Sequence, residues 1–396
     1  MDYRCNYSHT KEYGTMKEKE NTQNVVPNEW ITPVKDRTPE WHEYRKTGIG
    51  ASSAAIVLGI NPYNPTAMQL YHQKVGTEDV NFEMSEAAYQ GIMAENAIAN
   101  DWQYYDGVEC GYVMNAIDGA VQREMYEVVG CIKNPKYDHL FCNLDRVIKA
   151  GQHKLNLDGT FSDELIEKDC PLEIKTMNGF VFNKYGGVPD YYIVQVHQQM
   201  LITETDYSEI VVRVDGNKIR VFPIHRNEEI INQILEVSYE FWKRVLQGRQ
   251  ALIEAEQAKD LANFDLYEDW MGVIQQLEPE PNENENYTTY LSDRHKVEQE
   301  IMMGDDELLN QAQHLQTVKI MIKHLEKEKR ELENKIKHTF VQDSVEKIEF
   351  PANGYMRYYQ RANNNTKMLD VRITKPDEFV IGVELEKIDR EIGYII

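Results

Sequence analysis

The sequence predicts a mixed α/β protein with a largely antiparallel sheet, and three observations carry that reading. Helical and strand patterns alternate from residue 29 to about 226, where the apolar content is highest. Strand patterns cluster at 121–129, 140–148 and 172–176, after a set of helices. Asp215-Gly216-Asn217 stands between strand-like runs at 210–214 and 218–222, a strong hairpin signal.

Taken in order, residues 1–28 are rich in Lys, Glu, Asn and Thr with little to bury, and read as a disordered or loosely attached arm. Thr38-Pro39-Glu40 starts a helix: the hydroxyl caps free amides and proline suits the first helical position. Trp41 and Arg45 then lie four apart on one face. Gly48-Ile-Gly-Ala-Ser-Ser-Ala-Ala55 opens a second helix that Gly59 ends, and Asn64-Pro65 starts a third. A long helix follows at 85–104, the strands come next, and a helix at 189–203 precedes the hairpin. Residues 227–277 are a helical extension by periodicity. Residues 278–286, Glu-Pro-Glu-Pro-Asn-Glu-Asn-Glu-Asn, combine two prolines with alternating acids and read as a linker. Within 287–340, Leu315, Val318, Ile322, Leu325, Leu332 and Ile336 form a heptad stripe, with Lys329 in its one polar turn. Such a stripe suits a helix lying on its own domain or an intermolecular coiled coil. Residues 341–396 read as a small closing module with a strand at 355–359.

Composition bounds the chemistry. A chain of 396 residues predicts two or three domains. Its 43 basic and 66 acidic residues give a net charge of −23, which argues against coating nucleic acid over a broad surface. A local basic groove, or divalent metal that screens phosphates, stays open. There is no apolar run of the ~18 residues a membrane span needs and no apolar signal core near the N-terminus, so a soluble, cytoplasmic protein without membrane contact is expected. Cys5, Cys110, Cys131, Cys142 and Cys170 include no Cys-x-x-Cys pair; buried free thiols are expected rather than disulfides, a zinc ribbon or an iron–sulfur cluster.

Three positions carry candidate chemistry. Along the helix from Ser85, Ala88, Ile92, Ala99 and Trp102 define an apolar stripe, and the position completing it is Glu95. A carboxylate on that face needs a compensating metal or basic side chain. In Pro171-Leu-Glu-Ile-Lys-Thr176 the strand period sends Leu172 and Ile174 to one face, Glu173 and Lys175 to the other. Such a pair can hold a divalent ion and orient or deprotonate a water for phosphodiester hydrolysis, or be a solvated ion pair. In Phe141-Cys-Asn-Leu-Asp-Arg-Val-Ile148, Asp145 interrupts an apolar strand and would complete an oxygen-rich site for Mg²⁺ or Mn²⁺, unless it pairs with Arg146 or caps a turn. Asp158, in Leu157-Asp-Gly-Thr160, competes for the role, although Asp-Gly marks turns.

Taken together, Trp41-x-x-x-Arg45-x-x-Gly-Ile-Gly-Ala-Ser-Ser-Ala-Ala55, Leu58-Gly-x-Asn-Pro-Tyr63, Gly91-x-x-x-Glu95, Asn143-Leu-Asp-Arg146, Leu172-Glu-Ile-Lys175 and Gln195-Val-His-Gln-Gln-Met200 resemble, in that order, the motifs of YqaJ-like viral recombinases. These are PD-(D/E)XK nucleases of the lambda-exonuclease type, and the resemblance spans residues 29–226. It implies a restriction-endonuclease-like core with flanking helices. It also implies a Mg²⁺-dependent exodeoxyribonuclease with two metal ions, acting 5′ to 3′ on double-stranded DNA ends in phage or prophage recombination, with a single-strand annealing protein as partner and a homo-oligomeric state. By position, Asp145 and Glu173 would hold metal together with the Ile174 carbonyl, Lys175 would be the catalytic lysine, and Glu95 the helix carboxylate near the metals. Arg45 and Ser52 would lie near the 5′-phosphate, and Gln195 would open a stretch on the helix after the catalytic strand. Two departures stand out. His197 replaces a second glutamine, making a DNA contact there pH-sensitive, and 28 residues separate Asp145 from Glu173, which an inserted hairpin or loop at 151–169 would explain. The rival reading is a catalytically silent DNA-binding or scaffold protein with coiled-coil oligomerisation.

Overall fold

The computed structural model describes residues 25–79, 85–105, 123–295, 303–350, 354–360 and 367–373, which fall into two compact units, Met1–His295 and Lys296–Ile396. In the first unit the order is β1 (Ile31–Thr32), α1 (Pro39–Arg45), β2 (Ile49–Gly50), α2 (Ala51–Val57), α3 (Ala67–Val75), α4 (Glu86–Gln103), β3 (Met125–Tyr126), β4 (Cys131–Ile132), β5 (Leu140–Phe141), β6 (Arg146–Ile148), β7 (His153–Leu155), β8 (Phe161–Leu165), β9 (Cys170–Met177), α5 (Gly179–Tyr185), α6 (Asp190–Thr203), β10 (Tyr207–Val214), β11 (Lys218–His225), α7 (Glu228–Asp260), α8 (Phe264–Gln276) and α9 (Asn286–Arg294).

Helix starts follow local chemistry. Thr38 Oγ1 accepts the Trp41 N–H at 3.2 Å, and Ser85 Oγ accepts the Ala88 N–H at 3.1 Å. The third helix begins two residues later than Asn64-Pro65 suggests, because Thr66 is the cap, its hydroxyl accepting the Gln69 N–H at 3.1 Å. Asp215 and Gly216 both have positive φ, +52° and +78°, and with Asn217 they form the three-residue turn between the paired Val214 and Lys218 that joins β10 to β11.

The main sheet has the order β11-β10-β9-β6-β3. Three of its four pairings are antiparallel and β9–β10 is parallel, so the mixed, mostly antiparallel α/β class is borne out. α4 covers one face, burying Ile98, Ala99 and Trp102 with Leu172, Val211 and Val221; α6 covers the other, burying Val196 and Met200 with Met177, Ile210 and Val212. At about 1.5–3 kcal/mol for each large apolar side chain withdrawn from water, these two layers hold the sheet in place. The strand expected at 140–148 is two strands with different partners: β5 pairs parallel with β2, β6 antiparallel with β9. Residues 143–145 span the gap, so Asp145 is freed from ladder geometry. Of the strand expected at 121–129, β3 is the part that forms among the described residues. The insertion at 151–169 is the β7–β8 hairpin.

Two polar features of this unit escape sequence reading. Glu209, fully buried on β10, receives both guanidinium nitrogens of Arg123 (2.7 and 2.8 Å), the Trp102 indole N–H (2.7 Å) and the Tyr207 hydroxyl (2.9 Å). The expected linker at 278–286 is no free tether. Asn282 Nδ2 donates to Gly59 O at 3.1 Å, Asn284 Nδ2 donates to Asn61 O, and Asn286 Nδ2 donates to Pro62 O at 2.7 Å. Tyr287 and Tyr290 of α9 then bury against Met68. Upstream, Ile231, Ile234, Phe241 and Val245 of α7 join the core of α2 and α3. Gly248 lets α7 pass α3 closely, since a Cβ there would lie 2.4 Å from Tyr71 Oη. Val25 and Val26, assigned from sequence to the loose arm, are buried in the same core; residues 1–24 lie outside the described set.

The second unit holds α10 (Asp306–Gln342) and a three-stranded antiparallel sheet of β12 (Lys347–Phe350), β13 (Gly354–Gln360) and β14 (Lys367–Ile373). Asp305 caps α10 by accepting the Leu308 N–H at 2.8 Å. Phe340 is buried beside the Tyr358 ring, whereas Leu315, Ile322, Leu325 and Leu332 of the heptad stripe stay about half exposed. Among the described residues no helix is long and apolar enough to cross a membrane, and Cys131, Cys142 and Cys170 are buried free thiols; Cys5 and Cys110 lie outside the described residues.

Candidate active site

The alternation of β9 sets the geometry. Leu172 and Ile174 pack toward α4, which turns Glu173 and Lys175 toward α6. There Glu173 is 1% exposed, not solvated. Gln195 Nε2 donates to its Oε1 at 2.6 Å, Gln199 Nε2 to its Oε2 at 2.6 Å, and Lys175 Nζ also donates to Oε1. Both carboxylate oxygens are therefore held in a fixed plane by one turn of α6. From the gap before β6, Asp145 reaches β9, its Oδ2 accepting the Ile174 N–H at 2.8 Å.

Burial and the neighbouring Glu173 charge push the Asp145 carboxyl up to about 8, with Glu95 adding to the repulsion and Lys175 opposing it. Burial would lower Lys175, but the Glu173 and Asp145 carboxylates outweigh it and hold the ammonium above the ordinary lysine range. Glu95 has the cation its position demanded: Arg146 Nη1 donates to Glu95 Oε1 at 2.8 Å while Nη2 lies 3.0 Å from Glu127. Its side chain is 30% exposed, because the N-terminal half of α4 stands clear of the sheet and only its later turns are buried.

Glu95, Asp145, Lys175, Tyr191, Tyr192 and Arg213 line a cleft of about 910 Å³, with Glu173 behind them. Other expected residues fall elsewhere. Arg45 stacks over the Trp41 ring at 4.6 Å, and Ser52 is exposed at the start of α2; neither lines this cleft. His197 is buried against the start of α7, its Nδ1 bonded to Ile193 O at 2.7 Å and its Nε2 accepting the Asn227 N–H at 3.2 Å, and it does not line the cleft. Gln195 grips Glu173 rather than offering its amide to DNA. Asp158 closes an exposed turn by accepting the Thr160 N–H at 2.9 Å, and it does not line the cleft. Gln199 was not foreseen, although its spacing of four from Gln195 puts both amides on one helix face.

Residues 40–206 match the model of the YqaJ-like viral recombinase domain. The chain is 25% identical to the uncharacterised protein YqaJ of Bacillus subtilis (strain 168) over 304 residues, 76% of this chain and 77% of that protein. Among solved structures, the alkaline exonuclease LHK-Exo from Laribacter hongkongensis aligns at 19% identity and TM-score 0.38, covering 57% of this chain and all of the other. LHK-Exo in complex with dAMP gives 18% and 0.40 over the same shares, and a phage related exonuclease from Haemophilus somnus 129PT gives 10% and 0.30, covering 52% and 98%.

The cleft offers carboxylate and carbonyl oxygens, the donors that suit Mg²⁺ or Mn²⁺, and the like-charge crowding that adds to burial in lifting Asp145 is what a divalent cation relieves. The donor chemistry of Asp145 and Glu173 therefore fits a hard cation. The expected convergence of three acids does not occur: among the described residues no group of three or more His, Cys, Asp or Glu side chains stands close enough to hold a metal ion. Glu95 is drawn off by Arg146 instead.

Proposed function

We propose that the chain is a divalent-metal-dependent exodeoxyribonuclease of the PD-(D/E)XK type, digesting double-stranded DNA ends 5′ to 3′ in phage or prophage recombination. The observation that carries this reading is the set of Asp145, Glu173 and Lys175, brought together by the segment before β6 and by β9 at one cleft, with Asp145 tied to the backbone between the other two. Simple binding of DNA has no use for buried acids facing phosphates. The match of residues 40–206 to a viral recombinase family supports the same assignment.

Asp145 and Glu173, with the Ile174 carbonyl, would hold Mg²⁺ or Mn²⁺, two ions in the full site. When bound, such ions stabilise an attacking hydroxide and a leaving 3′-oxygen. The chain's own groups do the rest. Lys175 is placed to orient or deprotonate the incoming water from Nζ, or to donate to a phosphate oxygen. Gln195 and Gln199 hold the Glu173 carboxylate in plane, with Lys175 also donating to Oε1 and Gln199 the donor to Oε2. Arg45 and Ser52 are assigned to the 5′-phosphate, which the planar guanidinium suits. Double-stranded DNA ends, a single-strand annealing protein and further copies of the chain are the partners this reading implies, in the host cytoplasm.

The test is polarity and metal dependence together. With a linear duplex labelled near the 5′ or the 3′ end of one strand, Mg²⁺ should release the 5′ label first, and EDTA should stop release. Label loss in EDTA, or first loss from the 3′ end, would overturn the corresponding part of the reading.

A further inference from the structure

One part of the cleft wall is aromatic, and the chemistry above makes no use of it. Tyr63, on the loop between α2 and α3, lines the cleft and is 53% exposed. Its ring meets Tyr191 edge to face, with centroids 5.8 Å apart at 85°. Tyr191 meets Tyr192 at 4.5 Å and 65°, and the Tyr192 ring lies 4.8 Å from Lys175 Nζ. A row of rings thus runs from solvent to the ammonium group. Tyr191 is buried and Tyr192 faces Lys175; of the two exposed rings that meet Tyr191, Tyr63 and Tyr185, Tyr63 is the one that lines the cleft.

The loop that carries Tyr63 is fixed from both sides. Asn61 Nδ2 donates to Tyr63 O at 2.8 Å, and Asn286 Nδ2 donates to Pro62 O at 2.7 Å. An exposed ring on a braced loop loses little freedom when it is covered. The charge of the chain adds a reason: at −23, phosphate attraction over a broad surface is weak, whereas stacking on an aromatic ring is not opposed by net charge and accepts any base.

We propose that Tyr63 is a stacking platform for an unpaired base of the strand led toward Lys175. This rests on the nuclease reading. The experiment uses the full chain in EDTA with a duplex carrying 2-aminopurine at its terminal and penultimate 5′ positions, read by base fluorescence and by anisotropy, with Mg²⁺ digestion of the same duplex in parallel. Wild type and Tyr63→Phe should quench the base equally. Tyr63→Ala should lose the quench and bind roughly 10-fold more weakly, with unchanged salt dependence because no phosphate contact is removed. If wild type digests the duplex but Tyr63→Ala quenches and binds as well as wild type, the platform is refuted and the nuclease reading stands. If Tyr63→Phe is as impaired as Tyr63→Ala, the hydroxyl and not the ring face is the contact, which also refutes stacking. If wild type neither binds nor digests the duplex, both ideas fall.

Discussion

The Glu173 carboxylate shows how a single side chain acquires its role from neighbours far off in sequence. Gln195 and Gln199 are four apart, so both amides face β9, while His197 lies about 200° round the same helix and packs against the start of α7. Which of those faces meets the site follows from the packing of α6 on β9, which no local pattern reveals; the spacing of the two glutamines was the legible part. Gln195→Ala and Gln199→Ala should each reduce nuclease activity or Mn²⁺ affinity about 10- to 100-fold, measured by digestion rate and calorimetric titration. Lys74 gives a different residue-scale prediction. Burial, with Arg45 and Arg249 nearby, pulls its amine down to about 7. Between about pH 7 and 10.5 the unfolded chain therefore holds more protons than the folded one, and folding stability gained from this group rises with pH. Lys74→Met should raise the melting temperature relative to wild type most below pH 7, and the gap should narrow toward pH 10.

Elements with local signals were readable: the capped starts of α1 and α4, the Asp215-Gly216 turn, the period-two pattern of β9. What was not readable depends on distant partners. The break between β5 and β6, which releases Asp145, exists because the two halves pair with different strands, one of them 90 residues away in sequence at β2. The acidic, proline-containing segment looked like a tether because composition reports charge, not the asparagine side chains that bond the 59–62 carbonyls. The Glu209–Arg123 pair was hidden for the same reason. Arg123→Met should cost about 3–5 kcal/mol by leaving Glu209 buried and uncompensated, read by urea unfolding. A loss under 1 kcal/mol would show that the pair does not hold α4 to the sheet.

At the scale of the molecule, the boundary between the units comes after α9, not at the proline-rich segment, since Tyr287 and Tyr290 pack on α3. A chain ending at residue 295 should fold and keep its digestion rate, whereas one ending at 277 should lose stability. If the heptad stripe of α10 pairs copies of the chain, the shorter protein will also sediment as a smaller species than the full chain. The decisive measurement concerns Asp145, the acid that the break in the sheet presents to the cleft. On 5′-phosphorylated linear duplex with Mg²⁺, wild type should digest the DNA and Asp145→Ala, folded to the same melting temperature within a few degrees, should be slower by at least about 10³-fold. Equal digestion by the two proteins would show that the cleft is not where the chemistry happens.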